Sequence, residues 1–393
     1  MLLLIRNADV YAPEHLGRRD ILSAGGRILA LAERIEPSAA RALGCPLEIL
    51  EAEGLVALPG LVDGHVHAIG GGGEGGFATR TPELGLGDCV RGGVTTIVAT
   101  LGTDGVARSM EALVAKVYAL REEGLSAWAW SGSYRIPQRT VTGDLMRDIM
   151  MIEPILGAGE VAVSDHRSSR PTHEELGRIA AEARVAGLLS GKAGVVNFHI
   201  GDAPARLKPL EELVAAGDLP RTQFLPTHCN RSAEVFESAL RWAASGGWVD
   251  ITTSTVPQFL TEGEVKASVA LRRLREAGFL GRTTCSSDGQ GSLPLFDAKG
   301  ALAGLTVASC SSLWETAREA ILSEGLPLAE AAATVTSNPA SILKLRGKGR
   351  IAEGADADIL LAGAGDLDIR GLVARGRVLM RDGEVLAKGH FES

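Results

Sequence analysis

Eight short apolar or β-branched runs recur through residues 56–344 of this 393-residue chain, and amphipathic stretches fall between most of them. The runs are VALPGLVDGHVH (56–67), VTTIVATLG (94–102), SAWAWSGSY (126–134), EVAVSDH (160–166), AGVVNFHIG (193–201), FLPTHC (224–229), WVDITT (248–253) and TTCSSDG (283–289). Between them, HEELGRIAAEARVAGLL, SAEVFESALRWAASG and GEVKASVALRRLREAG carry apolar residues at helical spacing. Strands that alternate with helices pair in parallel, and eight such units close into a (β/α)8 barrel.

The two flanks have a different texture. LLLIRNADVYAP is followed by DILSAGGRILALAERI, with Gly25-Gly26 at a hairpin turn. Near the other end, DADILLA and LVARGRVLMRDGEVLAKG contain Asp382-Gly383, a two-residue turn signal. One small β domain built from residues 1–55 and 345–393 is therefore expected, around a barrel of 56–344. The apolar start of MLLLIRNADV is interrupted by Arg6, too soon for a secretory h-region, and reads as an edge strand.

Composition narrows the function. A net charge of −8 without a basic cluster disfavours nucleic acid and anionic membranes as partners. No apolar run approaches the roughly 18 residues that cross a bilayer. Five cysteines, an odd number without a CxxC, read as reduced thiols of a cytoplasmic protein.

Barrel active sites lie where strands end and βα loops begin. His65, His67, Glu160, His199, His228 and Asp288 fall at or beside such positions, and each can bind metal or move a proton. In His65-Val66-His67, residues two apart share a strand face, so both imidazoles can chelate one metal. Singly, His199 and His228 are more often core histidines; on successive strands they point to a second metal position. Glu160 opens the fourth run and offers a carboxylate to bridge two cations. Asp288 can take a proton from a metal-activated water and hand it to a leaving amine, the plainer alternative being a turn-forming Asp before Gly289. Thr103 and Tyr134 follow the second and third runs. In the Gly70–Gly76 loop, Glu74 is the only charge, suited to a substrate ammonium; the loop lacks the GxxxxGK[ST] spacing of a phosphate cradle. Arg167 and Arg231 follow the fourth and sixth runs. Guanidinium forks suit carboxylates, so two at one mouth select an acidic substrate, unless they are solvated surface charges.

PGLVDGHVHAIGGGGEGG with ATRTPE, GVTTIVATLGTD, EEGLSAWAWSGSY, VSDHRSS, GLLSGKAGVVNFHIGD, LPTHCNRS and SSDGQGS together resemble the amidohydrolase superfamily, and within it the isoaspartyl dipeptidases. The resemblance runs over nearly the whole chain. It implies a zinc-dependent hydrolase with two metals in a distorted (β/α)8 barrel, a small β-sandwich domain from both chain ends, and a homo-oligomer, commonly an octamer. It also implies that His65 and His67 hold the first zinc and His199 and His228 the second. Asp288 would bind the first and serve as general base and acid. Tyr134 would polarise the scissile carbonyl, Glu74 and Ser292 would receive the α-amino group, and Thr103 and Gly72 would meet the aspartyl α-carboxylate. Arg167 and Arg231 would clamp the carboxylate of the released residue. The pattern departs at Glu160, where the familiar sequences carry a lysine carboxylated on its amine. Both present a carboxylate, but glutamate has on the order of 3–4 Å less reach. The expectation is a metal pair bridged by Glu160 and hydrolysis of β-aspartyl dipeptides. The alternatives are a cyclic amidase or N-acyl amino acid deacetylase on the same scaffold, and a non-catalytic barrel assembly protein.

Overall fold

The computed structural model of the protein describes residues 1–297 and 302–392. A strand forms within each of the eight apolar runs or across its start: β1 (Leu61–Val66), β2 (Val94–Ala99), β3 (Ser126–Ser131), β4 (Ile155–Val163), β5 (Val196–Ile200), β6 (Phe224–Thr227), β7 (Val249–Thr252) and β8 (Thr283–Ser286). Strands β1 to β6 make one parallel sheet in chain order, and β7 pairs with β8 alone. Two seams join these pieces. At one, Cys229 N donates to Asp250 O at 3.1 Å; at the other, His67 N donates to Gly289 O at 2.8 Å. The result is a distorted (β/α)8 barrel, as the alternation of runs and helices predicts.

The strands are buried almost throughout, because helices cover their outer faces. The helix α1 (His173–Ser190) shows how the sequence sets such a cover. Thr172 caps its start in a capping box with Glu175, and Gly191, at φ 72°, ends it in the left-handed conformation. Leu176, Ile179, Ala180, Ala183 and Ala186, three or four residues apart, face the core. A second helix, α2 (Ala233–Ala244), is capped by Ser232, whose Oγ accepts from Val235 N at 3.3 Å. That cap places Arg231, the residue just before it, on the barrel mouth.

The chain ends build one nine-stranded sheet. Ile359–Gly363 pairs antiparallel with Leu55–Pro59, which joins the C-terminal strands to the N-terminal ones. The hairpin at Gly25-Gly26 links His15–Ala24 to Arg27–Ala32, and that at Asp382-Gly383 links Arg377–Arg381 to Glu384–Val385. Leu2–Tyr11 is not the edge strand its sequence suggests. It pairs with His15–Ala24 on one side and with Leu47–Glu51 and Leu55–Pro59 on the other. Its run of leucines is explained by burial on both faces: Leu3 and Ile5 enter one apolar cluster, Leu2 and Leu4 another. No helix among the described residues is long and apolar enough to cross a membrane. All five cysteines are free, and four are buried.

Candidate metal centre and active-site cleft

The strand ends deliver six side chains to one point. His65 and His67 come from the end of β1, with ring centroids 5.5 Å apart. Glu160 comes from β4 and His199 from β5. His228 and Asp288 follow β6 and β8 with φ of 61° and 54°, left-handed conformations that cost a non-glycine residue of order 1–3 kcal/mol.

Glu160 does not open its strand. β4 begins at Ile155, so Glu160 lies well inside it. The glycines of ILGAG hide this, since glycine weakens a strand pattern. They have a packing reason: a Cβ at Gly157 would stand 2.2 Å from Val195 O, and one at Gly159 would stand 2.9 Å from Asn197 Cβ. The close approach of β4 to β5 that only glycine permits is what brings Glu160 beside His199.

Glu160 spans the cluster. Its Oε2 lies 3.4 Å from His65 Nε2. Its Oε1 lies 2.9 Å from His199 Nδ1 and 3.2 Å from His228 Nε2. Asp288 Oδ1 lies 3.0 Å from His67 Nε2 and 3.6 Å from His65 Nε2. His65 Nε2, Glu160 Oε2 and Asp288 Oδ1 are buried and make no hydrogen bond. Orphaned buried polar atoms are costly, and here an imidazole nitrogen and two carboxylate oxygens converge. His65, His67 and Glu160, then His65, His228 and Asp288, then Glu160, His199 and His228 each bring ligand atoms within 4.8 Å of one another. Mixed imidazole and carboxylate donors fit a divalent cation such as zinc.

The electrostatics agree with that fit. Burial would raise the Glu160 carboxyl, but the His65 charge and hydrogen bonds from His199 and His228 hold it well below the usual carboxylate range. Burial is likewise outweighed at Asp288, first by His67. Burial, only partly offset by the Glu160 hydrogen bond, takes His228 down to about 3. Two ionised carboxylates therefore face a neutral imidazole at His228, while at His65 burial is outweighed, first by Glu160, and the ring is raised to about 10; a cation bound there would take the place of that proton. Burial, reinforced by the Glu160 charge, keeps the Tyr134 phenol protonated well above its ordinary range.

Above the cluster opens a cleft of about 560 Å³. Its wall includes every residue expected to touch substrate: Gly72, Glu74, Thr103, Tyr134, Arg167, Arg231 and Ser292. Tyr134 Oη lies 2.7 Å from His199 Nδ1, at the junction of cleft and cluster. Glu74 is not free: its Oε1 accepts from Thr103 Oγ1 at 3.0 Å and from Arg167 Nη1 at 3.3 Å. The glycine loop is tied down by Arg108, which donates to Gly71 O at 2.7 Å and Ile69 O at 3.2 Å.

Several contributing residues carry no motif of their own. Asp165 accepts from Arg167 and contacts His199. Asn197 Oδ1 lies 3.1 Å from His65 Nδ1, and Thr252 Oγ1 lies 2.7 Å from His228 Nδ1, so each ring is oriented through its far nitrogen. Asp63 accepts from Ser287 N at 3.1 Å and from Ser287 Oγ at 2.5 Å, anchoring the turn that carries Asp288. Asp165, in SDHR, was the most legible of these, two residues before Arg167.

Gly102 packs against the His67 ring. Its φ is +74°, and a Cβ there would lie 2.5 Å from His67 Cε1. Gly102→Ala is expected to displace the ring and, with the left-handed backbone, to cost about 1 kcal/mol or more. Calorimetry of the variant should show a lower melting temperature and weaker divalent-metal binding. Unchanged values for both would refute the contact.

The chain belongs to the amidohydrolase family: the family match covers residues 169–370, and relatives of high identity span nearly its full length. It is an enzyme of that family. It is similar to the β-aspartyl dipeptidase of the thermophilic, keratin-degrading Fervidobacterium islandicum AW-1, solved in complex with β-Asp-Leu, at 44% identity, with 98% of each chain covered and a TM-score of 0.89. A D-hydantoinase structure shares the fold, with 17% identity, 100% and 98% coverage and a TM-score of 0.69. Among curated proteins, the dihydroorotase of Lactobacillus johnsonii is 27% identical over 67% of this chain and 62% of its own length. That of Elusimicrobium minutum is 38% identical over 25% of this chain and 21% of its own length. The chain thus spans less than two thirds of each of these two dihydroorotases.

Proposed function

We propose that the protein is a metal-dependent β-aspartyl (isoaspartyl) dipeptidase. The carrying observation is that two guanidinium groups, Arg167 and Arg231, lie 3.2 Å and 3.3 Å from His199 Nε2, beside the metal donors. A carboxylate held there sits next to the reacting bond. The full-length similarity to an enzyme of that activity supports the reading.

His65 and His67 would hold one zinc ion and His199 and His228 a second, with Glu160 bridging and Asp288 on the first. Zinc there supplies Lewis acidity and makes water nucleophilic near neutral pH. The remaining chemistry belongs to the chain. Arg167 and Arg231 hold the carboxylate of the leaving residue, while Glu74 and Ser292 take the α-amino group. Gly72 and Thr103 meet the aspartyl α-carboxylate. Water adds to the side-chain carbonyl carbon, and its proton passes to an Asp288 oxygen. Tyr134 Oη donates to the oxygen that becomes negative. Asp288 returns the proton to the leaving nitrogen as the C–N bond breaks, freeing aspartate and the second amino acid. Residues 1–55 with 345–393 form the accessory domain of a homo-oligomer in this reading, and the free thiols suit a cytoplasmic setting.

The dihydroorotase matches favour one second reading, cyclic-amide hydrolysis. Dihydroorotate has a carboxylate but no ammonium, so it leaves Glu74 no substrate cation to bind. Assays of β-Asp-Leu beside dihydroorotate and N-acetyl amino acids separate them; turnover of dihydroorotate alone overturns the proposal. Arg231→Met is expected to raise KM for β-Asp-Leu about tenfold or more with kcat little changed, as loss of a charged hydrogen bond implies. An unchanged KM counts against the clamp.

A further inference from the structure

Three groups with separate tasks in that reading meet on one carboxylate. Asp165 follows β4 by two residues, and its side chain is only 3% exposed. Its Oδ2 accepts from Arg167 Nη2 at 2.9 Å, and lies 3.4 Å from Arg231 Nη1 and 2.8 Å from His199 Nε2. Its Oδ1 accepts from Arg167 Nε at 3.0 Å and Arg167 N at 2.8 Å. His199 uses its other nitrogen differently: Nδ1 faces Glu160 Oε1 at 2.9 Å and Tyr134 Oη at 2.7 Å. One ring thus joins the metal donors to the carboxylate that holds both arginines.

We infer that Asp165 is a positioning residue linking the carboxylate-binding arginines to His199. The inference rests on the dipeptidase reading and deepens it. A carboxylate on the far nitrogen of a ligating imidazole fixes its tautomer and raises its basicity. The same carboxylate here offsets one of the two guanidinium charges and competes with the substrate for their hydrogens. When a dipeptide carboxylate draws the two guanidinium groups to itself, Asp165 Oδ2 is left to His199, while Oδ1 keeps the Arg167 backbone N–H. Substrate occupancy is thereby felt at the metal donors through one shared oxygen.

The two roles of Asp165 pull kinetic constants in opposite directions. Asp165→Asn removes the charge behind His199, so kcat for β-Asp-Leu is expected to fall about ten- to a hundredfold, the usual range for losing such a partner. It also removes the carboxylate that the two guanidinium groups share, leaving Arg167 with Glu74 alone, so KM and the dissociation constant for free L-leucine, read by calorimetry on metal-loaded protein, should fall or stay within about twofold. Asp165→Glu keeps the charge and should recover part of kcat. A variant that merely loosens the site raises KM and weakens leucine binding; either that result or an unchanged kcat overturns the inference. Circular dichroism checks the fold, and if Asp165→Asn does not fold, Asp165→Glu carries the same test through a lowered kcat without a raised KM. Should the wild type leave β-Asp-Leu intact, the dipeptidase reading fails, and leucine affinity still decides the role of Asp165: weaker binding in the Asn variant sinks it.

Discussion

Asp288→Asn is expected to keep the metal donors assembled and to cut kcat by at least about a hundredfold. Asparagine matches aspartate in shape, so the turn anchored by Asp63 on Ser287 has no reason to move. The contact of Asp288 Oδ1 with His67 Nε2, 3.0 Å long, can persist through the amide oxygen. What is lost is the capacity to take a proton and return it. Positioned general acid–base groups contribute typically 10²–10⁴-fold, and Asp288 is the carboxylate of the cluster whose side chain, 21% exposed, reaches the cleft. Steady-state kinetics on β-Asp-Leu with elemental analysis of the same sample tests this. Activity near that of the wild type refutes the proton role. Loss of metal with activity reassigns Asp288 to metal holding alone.

Glu160→Gln should have the larger structural consequence. The carboxylate is fully buried and contacts both histidine pairs, His65 of one and His199 and His228 of the other. Gln keeps the volume and removes the charge. Breaking a buried ionic group on one side typically costs about 3–5 kcal/mol, because the partners stay buried without compensation. We therefore expect at least one divalent metal equivalent per chain to be lost and the metal-stripped variant to melt below the metal-stripped wild type. Activity should fall at least as far as in Asp288→Asn. Wild-type metal content in the Gln variant excludes a bridge through Glu160.

The same two residues show how much could be read in advance. Asp288 stands at the end of a short apolar run, and that position beside the other candidate ligands, together with the family resemblance, points its carboxylate to a proton-moving role. Glu160 does lie among the candidate ligand histidines, but inside β4 and not at the opening of its run, because Gly157 and Gly159 look like a loop until β5 lies against them. The lone charge of Glu74 in its loop suits an ammonium, and the structure adds that it also accepts from Arg167 and Thr103. Nothing in GGGGEGG announces a partner far along the chain.

Local order was settled along the chain itself. The spacing of apolar residues set eight strands and their covering helices, and the two-residue repeat put His65 and His67 on one face. These depend on near neighbours, whose geometry the backbone periods dictate. Closure of the ring decided the rest: which Glu160 oxygen meets which imidazole, how Asn197 and Thr252 orient the rings, and that Asp165 gathers two arginines and His199. Apart from Asp165 with Arg167, such contacts join residues from about two dozen to more than a hundred positions apart, and ångström distances between them exist only after the barrel has packed.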